Sequence, residues 1–220
     1  LRATPVLAAG FAALSIVAFS RLRPRPRTAH HEAPATYREA LAFRPVRDLC
    51  LLLAATLLAL TIGTTLAPNF LHQVHGLEYD RIGQLGSVAA VGRILLGLTF
   101  SRIKALGRPM TGIAIATAST AGTFALLLVA QSLPLFALAY LLRGGYMVAW
   151  SLFSAGLGDV TPARLYGRTF ALGEFCGGVG MAVAPLIAGP LYAWQPLSPF
   201  AAALALTLPI LGVIIAPAPR

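Results

Sequence analysis

The sequence predicts an all-α integral membrane protein, and three observations carry that prediction. Seven stretches are long and apolar enough to cross a bilayer. The chain is 57% hydrophobic and only 11% charged, with mean hydropathy +0.77. Its basic residues gather between the apolar runs and on alternate sides of them. A water-soluble domain of 220 residues with this composition has too little polar surface to cover itself.

A spanning helix needs about 20 mostly apolar residues, because the hydrocarbon core is ~30 Å thick and a helix rises ~1.5 Å per residue. The stretches 3–20, 49–69, 81–101, 110–130, 134–157, 166–193 and 198–216 meet that requirement. Short connections join the last six, so consecutive helices are antiparallel neighbours. The connection over 21–47 is different. It begins RLRPRPR, where proline bars helix and like charges repel, so its first part is extended. Thr36 to Phe43 suits a short helix lying on the membrane surface. The chain starts at Leu1, and its first apolar run has neither the basic leader nor the cleavage site of a signal peptide. It therefore reads as a piece of a longer polypeptide.

Orientation follows from charge. With the 21–47 linker in the cytoplasm, alternation puts thirteen basic residues inside, and only Arg2 and Arg81 outside. The formal charge of +10 is then a matter of topology and of contact with the lipid bilayer, and nucleic acid is not an expected partner. Cys50 and Cys176 fall inside apolar runs, where a thiol behaves as a small hydrophobe. No nucleotide loop, catalytic triad or metal-ligand spacing is present, so no enzyme, cofactor or metal is expected. His72 and His75, with Glu78 and Asp80, read as solvated residues of an outer loop, Asp80 capping the next helix.

Three ionisable residues lie well inside spans: Arg93, Arg143 and Glu174. Arg93 and Glu174 are ~12 Å from the cytoplasmic ends of their helices and Arg143 is ~14 Å from the outer end of its own, which puts all three near mid-bilayer. Each is costly against lipid, so each should face the bundle interior, a partner charge or water. Helices 110–130 and 198–216 hold no ionisable residue, which suggests that they lie outermost, with the charged helices around a central polar space. Two readings stay open. Arg143 and Glu174 form a buried pair that fixes packing, or the three groups bind and couple. In the second reading Glu174 carries a proton, since a desolvated carboxyl can load and release one near neutral pH and arginine cannot. Arg93 and Arg143 then meet an anionic or polar part of a small-molecule substrate. Thr61, Thr64, Thr65 and Asn69 either line a cavity or bond back to their own helix.

The layout resembles the C-terminal half of a major facilitator superfamily transporter. Residues 1–20 match the last transmembrane helix of the N-terminal half, 21–47 the cytoplasmic linker, and 48–220 the six-helix C-terminal domain. In GLTFSRIKALGRP, the residues Gly97, Arg102, Gly107 and Arg108 keep the order of the family's cytoplasmic turn motif, with Ser101 where the family has Asp. Arg93, Gly97 and Ser101 share one helical face, where Gly97 would let a neighbouring backbone approach. Asp159, Pro162, Arg164, Gly167 and Arg168 resemble the turn before the family's eleventh helix. GMAVAPLIAG resembles a glycine-proline antiporter motif at its pseudo-repeat position. Gly173, Gly177, Gly180 and Pro185 make a helix that packs closely, with or without bending.

The resemblance implies alternating access, with substrate held against a missing N-terminal six-helix half. It implies a proton-coupled efflux permease for drugs or metabolites in a bacterial inner membrane, with linker and C-terminus cytoplasmic. A proton-coupled importer of an organic anion and a non-transporting membrane protein are the alternatives.

Overall fold

The computed structural model describes residues 13–18, 20–21, 36–102 and 109–216. The chain divides into two compact units, Leu1–Pro34 and Ala35–Arg220. In the first, residues 13–18 and 20 are helical.

Helix α1, Tyr37–Ala42, starts at a threonine N-cap: Thr36 Oγ1 accepts the Glu39 backbone N–H at 3.3 Å and donates to the Glu39 carboxylate at 3.2 Å. The chain turns extended at Phe43, and α2 follows over Arg44–Thr65 with Pro45 in its first turn, where a missing N–H costs nothing. After a break at Leu66, α3 continues as Ala67–Gln73, with Pro68 in its first turn. The only left-handed backbone among the described residues is at Gly76, φ 67°, in the turn that leads to α4 at Tyr79–Arg102. Then come α5 at Pro109–Val129, α6 at Leu133–Arg143, α7 at Gly145–Val160, a 3-10 turn at Ala163–Leu165, α8 at Tyr166–Trp194 and α9 at Ser198–Ile215.

Six spans long and apolar enough to cross a membrane result among the described residues: Arg44–Gln73, Tyr79–Phe100, Pro109–Val129, Leu133–Val160, Ala163–Trp194 and Ser198–Ile215. They agree with the last six expected stretches, with two differences, while the expected span 3–20 lies mostly outside the described residues. The first begins at Arg44 and not near residue 49, because its opening turn is amphipathic: Asp48 pairs with Arg44 and Arg47 at 3.5 Å on the surface, while Val46 and Leu49 are buried. The fourth, expected as one helix, is interrupted at Gly144, whose N–H bonds Leu141 three residues back.

Helix α8 runs along α2, α5 lies between α7 and α9, and α4 packs on α6. Two large apolar layers, with a smaller cluster at Ala116, Val148 and Ala149, fill the unit. One is built on Phe70, Phe124, Phe136, Tyr140 and Phe200, the other on Leu53, Leu57, Ile113, Phe153 and Leu157. The expectation that 110–130 lies outermost is corrected. Pro109–Val129 is, with Arg44–Gln73, the most enclosed span at 56%, whereas the charge-bearing Tyr79–Phe100 and Ala163–Trp194 are the least, at 17% and 22%. A helix without charge can be covered by neighbours on several sides; one that carries a charge leaves that side uncovered by this chain.

Candidate functional site

Where α4 crosses α6 and α7, the sequence has glycine on both sides. A Cβ on Gly92 would fall on the Leu141 carbonyl oxygen, and one on Gly144 would overlap the backbone of Arg93 and Gly92. One on Gly145 would meet the Ala116 carbonyl of α5. Three spans therefore touch backbone to backbone at the Gly144 break, and the Ser119 hydroxyl caps the Leu142 carbonyl there at 2.9 Å. Arg93 and Arg143 flank this crossing. Sequence reasoning assigned the close approach to Gly97; nothing lies within 4 Å of a Cβ there, because five residues turn it about 140° around α4 from Gly92, onto the side of a groove.

Arg93 and Gly97 line a groove of about 340 Å³ between α4 and α7, completed by Phe100, Met147, Val148, Ser151 and Leu152. Arg143 is half-buried, its guanidinium carbon 5.2 Å from the centroid of the Tyr140 ring. As the last residue of α6, it also meets the negative end of that helix. Glu174 on α8 is uncovered by this chain and accepts the Trp150 indole N–H at 3.2 Å. No ion pair links Arg143 to Glu174 among the described residues, so the packing-pair reading is not what the structure holds.

These residues belong to one polar track. Arg143, Tyr146 and Trp150 follow one another at helical spacing along α6 and α7. The Tyr146 hydroxyl lies 3.0 Å from Thr61 Oγ1 on α2 and donates to the Met181 sulfur on α8 at 3.0 Å. With its own hydrogen used on sulfur, Tyr146 accepts from Thr61. Glu174 and Met181 sit two turns apart on α8, so α2, α7 and α8 each contribute to the track. Sequence reasoning missed Tyr146, Trp150 and Met181. Their signal was a polar or aromatic residue every three to four positions from Arg143. Thr61 is a lining residue, whereas Thr64 and Thr65 bond back to Leu60 and Thr61 carbonyls at 2.9 and 2.7 Å.

At the other end of α8, α1 is fastened to the turn that precedes it. Arg164 pairs with Glu39 at 3.0 Å, and the Arg168 guanidinium carbon lies 4.7 Å from the centroid of the Tyr37 ring. Arg102 ends α4. Ser101 is helical, while Gly107 and Arg108 lie outside the described residues. Along α8, a Cβ on Gly177 would be 3.0 Å from Leu57, and one on Gly180 would be 2.5 Å from the Ala54 carbonyl, so this glycine face packs directly on α2. Pro185 and Pro190 lie inside α8 and remove two of its internal hydrogen bonds.

The loop between α3 and α4 corrects a further expectation. His72 and His75 are half-buried, not solvated. His72 Nδ1 is 2.9 Å from the Leu77 carbonyl and its ring stacks on Tyr79, while His75 packs edge-on against Phe70 and Phe136. The loop is short enough that its rings close over the apolar layer below. Burial holds the His75 imidazole below its usual range. Asp80 sits within the first turn of α4 instead of capping it.

A family model described as Major Facilitator Superfamily matches residues 1–185. The chain belongs to the major facilitator superfamily. No curated protein matches it significantly. As a superfamily chain with six apolar spans among its described residues, it is a multi-pass membrane protein of a transporter family whose members are not enzymes. The polar track and the Arg93 groove belong to the spans of such a transporter, and the match covers every residue of both.

Proposed function

We propose that this chain is the C-terminal half of a proton-coupled efflux permease that moves a small molecule, a drug or metabolite, by alternating access. The observation that carries the reading is Glu174. Among the described residues it is the only carboxylate away from the span ends, it stands ~12 Å along its helix, and it faces outward from the chain's own core. There it can take up and release a proton while Trp150 holds its position. Arg143 lines the same track and supplies donors for a polar substrate, while Tyr146 and Thr61 hold its wall together. A second six-helix half covers this face and completes the site, with the bilayer of a bacterial inner membrane around both and the linker and C-terminus in the cytoplasm. Gly177, Gly180 and Pro185 let α8 bend as the halves rock, and Ser101, Arg102, Gly107 and Arg108 form the cytoplasmic turn that gates them.

The test is transport by the complete protein in vesicles with an imposed pH gradient and a panel of cationic dyes. Gradient-driven dye movement that Glu174→Gln abolishes, with dye exchange retained, supports the reading; movement that survives in the variant overturns it. A second reading rests on the Arg93 groove, whose guanidinium and Ser151 suit an organic anion taken up with protons. Counterflow of a small carboxylate that Arg93→Gln removes would favour it.

A further inference from the structure

The seam between α2 and α8 holds two thiols that transport does not use. Cys50 on α2 is 2% exposed and Cys176 on α8 is half-buried. Both are free, and Cys176 packs against the buried apolar layer that holds Cys50.

The register of the seam explains this. Positions advance together along the two helices: Gly173 and Gly177 face Leu53, Gly177 also faces Leu57, and Gly180 faces Ala54 and Leu58. The helices therefore run parallel. At Gly180 a Cβ would lie 2.5 Å from the Ala54 carbonyl oxygen and 3.2 Å from the Leu58 nitrogen, so the backbones touch. Cys50 and Cys176 stand one turn before Ala54 and Gly180 on their respective helices, on the same faces. A disulfide needs α-carbons about 4.4–6.8 Å apart, and the backbone contact at Gly180, one turn away, favours such an approach.

We infer that Cys50 and Cys176 form a dithiol that closes to a disulfide across α2 and α8. Half-buried Cys176 is the thiol that an apolar azodicarboxamide oxidant reaches. Its sulfur adds to the N=N bond and its proton passes to the other nitrogen. The Cys50 sulfur then attacks the Cys176 sulfur; the S–N bond breaks, the S–S bond forms, and the second proton leaves on the hydrazine product. Two thiols lose two electrons, and the azo group gains them.

The experiment uses the unmodified chain in membranes. After treatment with diamide, remaining thiols are blocked with N-ethylmaleimide, and the protein is cut after lysine and arginine without reductant. Peptide 48–81 carries Cys50 and peptide 169–220 carries Cys176. The expected result is one species in which the two are joined, which dithiothreitol separates and which Cys176→Ser or Cys50→Ala fails to form. Recovery of both peptides with maleimide on each cysteine after oxidation overturns the inference. So does a joined species made of two copies of one peptide.

Discussion

The indole N–H of Trp150 donates to a Glu174 carboxylate oxygen across 3.2 Å, joining α7 to α8 on the side that this chain leaves uncovered. If this bond positions the carboxylate, the two side chains act as a unit. Glu174→Gln should abolish gradient-driven transport by the complete protein, Trp150→Phe should slow it by roughly tenfold, and the double variant should be no worse than Glu174→Gln alone. Initial rates in vesicles check this; additive losses would separate the two residues.

Glycines that look equivalent in the sequence should respond with opposite signs. Gly144→Ala forces a Cβ onto the backbone of α4, which cannot move aside, and should destabilise by about 1–3 kcal/mol. Gly97→Ala meets nothing within 4 Å in the middle of α4 and should stabilise by about 0.5–1 kcal/mol. Thermal unfolding in detergent distinguishes them, and a loss at both positions would contradict the crossing at Gly144.

His75 makes the loop between α3 and α4 sensitive to acid. Burial holds its imidazole below the usual 6.5, so the folded chain binds that proton less readily than the unfolded chain. Its contribution is fully present above pH 6.5 and is lost as pH falls through that value toward the depressed one. His75→Phe should flatten this part of the melting temperature's pH dependence, measured between about pH 8 and 5. An unchanged slope would mean that other groups carry it.

Tyr146 ties α7 to both α2 and α8 through one hydroxyl. Tyr146→Phe should cost about 0.5–1.5 kcal/mol, and Thr61→Val should add little once that hydroxyl is gone, since both remove the same hydrogen bond. A double-mutant cycle on unfolding reads the coupling, and a value near zero would deny the bond.

The Glu39–Arg164 pair fastens α1 to the turn before α8, yet its side chains are 42% and 50% exposed. Its coupling should be about 0.2–1 kcal/mol and should shrink with added salt. A cycle with Glu39→Gln and Arg164→Gln at two salt concentrations measures it; a large, salt-independent value would show a drier contact.

The spans were legible because the bilayer imposes a length and a composition that neighbours cannot override: the first described span was expected over 49–69 and runs Arg44–Gln73, and the last was expected over 198–216 and runs Ser198–Ile215. The mid-span positions of Arg93, Arg143 and Glu174 were legible for the same reason, since a charge inside an apolar run is conspicuous. What each of them touches was not. Hydropathy treats Gly92, Gly97 and Gly144 alike, and only the crossing of α4 with α6 and α7 decides which of them must lack a side chain. It equally treats Trp150 and Tyr146 as apolar bulk, although one donates to Glu174 and the other bridges Thr61 and Met181. By itself, then, the sequence determined a polytopic helical membrane chain, its spans and its unusual charges, because these follow from transfer free energy along the chain. The tertiary structure alone decided which helices are enclosed, where α6 gives way to α7, and that Cys50 and Cys176 share one apolar layer, because these depend on contacts between residues far apart in the chain whose positions no local periodicity records.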